Sequence, residues 1–137
     1  MVCGGFVRAA LIIHAITAPA VDVDIFLVAA TPSAGLSLAM SIAHVVASEL
    51  TVASVAVSMS ALTLYCIHPT SATHLVIQII LCAFPSIGAV LRSFDLTPCC
   101  LAWTGTRILT TPAGGYYLDT GVILAILLEL LFESLLR

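Results

Sequence analysis

Two short stretches carry the residues whose types and spacing could do chemistry. One is "VDVDIFLV", with Asp22 and Asp24 one residue apart. The other is "CGGFVRAA", with Gly4, Gly5 and Arg8. If 21–29 is a strand, alternate residues share a face, and the two carboxylates point the same way with their Cα atoms about 6.5–7 Å apart. Such a pair can hold hard divalent cations, and two ions can clamp the attacking and leaving oxygens of an in-line phosphoryl displacement. A glycine pair lets the backbone approach a ligand closely. A helix starting just after it offers unpaired N–H groups and the positive end of its dipole to an anion. Arg8, one turn in, would add a charge-assisted contact to phosphate. Each half also has a plainer reading: a D-x-D arises as two solvated residues at the end of an edge strand, and Gly-Gly before a helix is common.

These polar residues stand in an unusually apolar chain. The 137 residues fit one domain, 1–137, with one core. Hydrophobic residues make up 61% and charged residues 8%, where an ordinary globular domain has roughly 45–50% and 25%. There is no lysine, and the cations are Arg8, Arg92, Arg107 and Arg137. A net charge of -3 with four scattered arginines excludes nucleic-acid binding by a basic face, though not a nucleotide held through metal ions. The five cysteines form no C-x-x-C and read as reduced, buried thiols of a cytoplasmic protein.

No charge occurs from Ile25 to Ser48 or from Leu50 to Leu91, so a small integral membrane protein without enzymatic activity is the alternative class. In that class the D-x-D would sit in a loop. Against it stand Pro69 and Pro85, the polar "HPTSATH", short Ala/Val/Ile/Thr blocks that suit buried strands, and the lack of Lys/Arg clusters to orient a span.

The elements that must position the site follow from periodicity. Residues 6–16 read as a helix ended by Pro19, and 21–29 as a strand with Val21, Val23 and Ile25 opposite the aspartates. A helix is expected over 35–49, strands over 51–59 and 61–67, a turn at "HPTSAT", a buried strand over 74–82 and a short helix over 85–93. Thr104-Gly105 marks a hairpin. "TPAGGYYLDTG" reads as a turn at Gly114-Gly115 and a short helix ended by Gly121, before a Leu-rich amphipathic helix over 122–136. The expected class is α/β (α+β): a mixed sheet with flanking helices.

"GGFVRAALI" followed by "DVDIFLV" resembles the opening of the nucleotidyltransferase fold of the DNA polymerase β superfamily. It looks most like the head domain of poly(A) polymerases and CCA-adding enzymes, with Gly-Gly-x-Val-Arg-Asp, a short helix and Asp-x-Asp. The stretch from Val76 to Gly121, which includes "SFDLTPCC", resembles a segment of divergent nucleotidyltransferase-like proteins. Together the matches run from Gly4 to Gly121, with 35–73 agreeing only in the order of elements.

The resemblance implies that Gly4, Gly5 and Arg8 cradle the triphosphate of an NTP, with ATP the expected nucleotide, and that Asp22 and Asp24 bind Mg²⁺. The activity it implies is transfer of a nucleoside monophosphate to a hydroxyl acceptor. Three departures bear on turnover. Ala9 stands where the pattern has Asp. The strand before the glycines is cut to "MVC", as in a chain lacking its first elements. Gln78 stands on the strand expected to bring a third carboxylate, and a neutral amide cannot accept the hydroxyl proton. The resemblance therefore implies an active or an impaired transferase, or a nucleotide sensor or scaffold. Asp95 is the nearest substitute acid, with a turn-capping role as its plainer reading. His14, His44, His68 and His74 form no ligand pair. Helix 122–136 is apolar enough to seek a second copy or a neighbouring domain.

Overall fold

A computed structural model of the chain describes residues 2–3 and 20–126. The chain builds one mixed seven-stranded sheet in the order β3-β4-β5-β2-β1-β6-β7. The strands are β1 (Val2–Cys3), β2 (Ala20–Val28), β3 (Thr51–Val57), β4 (Ala61–Ile67), β5 (His74–Phe84), β6 (Leu101–Trp103) and β7 (Ile108–Thr110). β2 and β5 are parallel, and every other neighbouring pair is antiparallel. The expected mixed sheet with flanking helices is what forms. Val2–Cys3 form a two-residue strand between β2 and β6.

The helices are α1 (Pro32–Glu49), α2 (Ile87–Leu91) and α3 (Pro112–Thr120). α1 begins one turn before the expected Gly35, because the Thr31 hydroxyl accepts the Ala34 N–H at 3.2 Å and Pro32 occupies the first helical position. It crosses one face of β2, β5 and β4 and buries Leu27, Ala39, Leu64, Cys66, Ile77 and Ile79 there. Gly35 allows the close approach: a Cβ on it would lie 3.0 Å from the Ala83 Cβ.

Among the described residues, the opposite face is covered at the C-terminal end of β2. There Phe26 meets Phe84 and Phe94 edge-on, with centroids 6.0 and 5.3 Å apart, beside Val90 and Leu91 of α2 and Ala102 of β6. α2 is shorter than the expected 85–93, since Ser86 caps it through the Ala89 N–H.

Two expectations are corrected. Gly114 and Gly115 lie inside α3 rather than in a turn, after the Thr111 hydroxyl accepts the Gly114 N–H. Residues 122–126, the start of the expected 122–136 helix, are not helical. Gly121 ends α3 at φ 71°, Leu124 is held by both backbone groups to Thr97, and the Ile126 N–H reaches the Asp95 carbonyl at 2.7 Å. Cys99 closes a 3-10 turn (Thr97–Cys99) that precedes β6. The expected helix over 6–16 and the remainder of 122–136 lie outside the described residues.

Candidate functional site

β2 places the two aspartates as its alternation dictates. Val23, Ile25 and Leu27 face α1, and Asp22 and Asp24 point to the other side, short of the aromatic cluster that begins at Phe26. Both acids lie within the strand, not in a loop. Asp22 is exposed and Asp24 half-buried.

The register brings further groups to Asp24. Gln78 of β5 is its direct partner on one side, and Thr63 of β4 is the partner of Gln78. Cys3 of β1 pairs with Asp24 on the other side. Directly opposed residues point to the same face, so the Asp24, Gln78 and Thr63 side chains form one row across three strands. Asp22 and Val76, with Tyr65 beyond, form the adjacent row. Gln78 thus stands beside the acidic pair. Thr63 and Tyr65 were not singled out from sequence. Their signal is the alternation of Ala61, Thr63 and Tyr65 with the core-facing Leu62, Leu64 and Cys66.

Among the described residues the acidic pair has no compensating cation. Burial, and after it the nearby Asp22 carboxylate, pushes the Asp24 carboxyl above its ordinary value. No described cation offsets this. The donor set is therefore carboxylate oxygens with an amide and a hydroxyl alongside, the chemistry of a hard divalent cation. No group of three or more His, Cys, Asp or Glu that could hold a metal occurs among the described residues, so no third described acid joins the pair. Asp95 works through its backbone carbonyl, which receives the Ile126 N–H. Gly4, Gly5 and Arg8 lie outside the described residues; Cys3, in register with Asp24, is the residue that leads into them.

Cys66 and Cys100 are buried, and burial pushes both thiols up. Cys82 is exposed and Cys99 half-buried, so the expectation of buried thiols holds for two of these four. His68 organises the β4–β5 turn, its Nδ1 lying 3.4 Å from the Ser71 N–H it accepts and 3.2 Å from the Thr70 hydroxyl. No described helix is long and apolar enough to cross a membrane. Comparison with protein-family models, with curated proteins and with solved structures finds nothing that matches the chain.

Proposed function

We propose that this chain is a nucleotidyltransferase-like domain that binds a nucleoside triphosphate with Mg²⁺ on the open face of its sheet. The observation that carries the reading is the Asp22–Asp24 pair on one face of β2, offset by no described cation and flanked in register by Gln78 and by the strand that leads to Gly4-Gly5. Asp22 and Asp24 would hold Mg²⁺. Gly4, Gly5 and Arg8 would hold the phosphates, with ATP the expected nucleotide.

When bound, the metal supplies Lewis-acid stabilisation of phosphoryl oxygens. The protein's own part is to fix the two carboxylates on a strand and to set an amide and a hydroxyl beside them. Gln78 donates and accepts hydrogen bonds but takes up no proton at neutral pH, so nucleoside monophosphate transfer to a hydroxyl acceptor runs without a protein base at this position. The reading is nucleotide binding first and impaired transfer second.

Calorimetric titration of Mg²⁺ and ATP tests it. Wild type should bind ATP only with Mg²⁺ present, and Asp22→Asn/Asp24→Asn should lose that dependence. Gln78→Glu, which adds a carboxylate next to Asp24, should tighten Mg²⁺. Absence of Mg²⁺-dependent binding, or equal binding by the double variant, removes the metal site.

A further inference from the structure

The two edges of the sheet are treated differently by the sequence. β7 is three residues long and follows Arg107. β3 runs for seven residues without a charge or a proline, and its outer edge pairs with no described strand. Sheets usually guard an open edge with short strands, charges, proline or bulges, because unpaired N–H and C=O groups invite another strand. β3 has one such device, a bulge between Val52 and Ser54, and beyond it Ser54–Val57 runs in regular register.

The side chains beside this edge are also uncovered. Val55 is 54% exposed, Val57 73% and Met59 fully, and Met40 and Val45 of α1 are more than half exposed. Between α1 and β3 lies a groove of about 450 Å³ lined by Met40, Ala43, His44, Ala47, Val55 and Val57 among others.

We propose that β3 is a dimerisation edge, on which a second copy of this chain lays its own β3 antiparallel about a twofold axis at Ala56. Three observations select a second copy. The chain carries a net charge of -3, so self-association must use a face without like-charge repulsion, and residues 50–91 hold no charge at all. A stable dimer buries about 800 Å² per partner, and exposed Val55, Val57 and Met59 of the β3–β4 hairpin, with Met40 of α1, supply apolar surface beside the edge.

The hydrogen-bond parity also fits. The Ser58 N–H donates to the Ala61 carbonyl at 2.9 Å, so Ser58, Ala56 and Ser54 turn their backbone groups toward β4 while Val55 and Val57 turn theirs to the open edge. A twofold at Ala56 opposes Val55 to Val57 of the second copy. The outward groups of both residues are thereby satisfied, and the two grooves lie on the same face of a continuous sheet.

Sedimentation velocity over a wide concentration range, with cross-linking of Ala56→Cys, tests this. Wild type should be a concentration-dependent dimer. Val57→Pro, which removes a donor that β4 does not use, and Val57→Lys should each weaken it about tenfold or more while leaving the far-UV spectrum unchanged. Ala56→Cys should give a disulfide-linked dimer that wild type, with its own cysteines, does not. A wild type that stays monomeric, a dimer indifferent to both Val57 variants, or a dimer that Ala56→Cys fails to link overturns the proposal.

Discussion

Asp24 is a carboxyl that the fold works against ionising, first through burial and then through Asp22 two residues away on the same face. Because its folded value lies above its unfolded one, its contribution to stability is fully present below the ordinary aspartate range. That contribution is lost as pH rises through the raised value. Asn at this position is neutral at every pH, so Asp24→Asn should melt above wild type at neutral pH, and the gap should close as pH falls below the ordinary aspartate range. Thermal unfolding followed across that pH window reads both. A variant that melts below wild type at neutral pH would mean that the carboxylate makes a stabilising contact.

At this scale much was legible. The common face of Asp22 and Asp24 follows from period-two alternation alone, and Gln78 was identified as the polar residue on the strand expected to supply a third carboxylate. The placement of Cys3 beside Asp24, and of Thr63 beyond Gln78, depends on register between strands distant in sequence, which no local pattern encodes.

Elements were legible where local signals agree with tertiary contacts. β4 has the expected bounds, and α1 ends where expected, at Glu49 before the extended Leu50. The 122–126 misreading is a local pattern overruled by a distant partner. The Leu-rich 122–126 reads as helix, yet Thr97, 25 or more residues earlier, binds the Val122 carbonyl and the Leu124 N–H through its hydroxyl, and Ala125 bridges Leu96.

Gly114-Gly115 reads as a turn, yet Gly114 serves packing. A Cβ there would overlap the Thr110 hydroxyl and lie 2.6 Å from the Cys100 carbonyl. The backbone carbonyl cannot move cheaply, since it already accepts from the Thr110 hydroxyl and the Thr111 N–H. Gly114→Ala should therefore cost about 1–3 kcal/mol despite alanine's better helix propensity. Gly115→Ala, with only ordinary contact to Thr110, should be neutral or slightly stabilising. Urea unfolding of the pair separates packing from propensity: an equal effect of the two substitutions would remove the packing role of Gly114.

The whole molecule is organised as a gradient across its sheet. β5 is central, eleven residues long, paired on both sides and covered by α1 where Ile77 and Ile79 are buried. Protection from hydrogen exchange should accordingly be greatest in β5 and in the β2 and β4 segments beside it, because opening these needs the main core to come apart. Outward from there it should fall, and at β3 it should split by residue. The Ala56 and Ser58 amides, turned toward β4, exchange only when that pair opens. The Val55 and Val57 amides, turned away from β4, have no described acceptor and exchange as free groups in a monomer. If a second copy occupies the edge, these two amides should slow as protein concentration rises, while Ala56 and Ser58 change much less. Exchange resolved by residue at low and high concentration reads the pattern directly. Fast, concentration-independent exchange at Val55 and Val57 leaves β3 an open edge, and slow exchange of both in a demonstrated monomer means that the chain covers the edge itself; either result excludes the dimer.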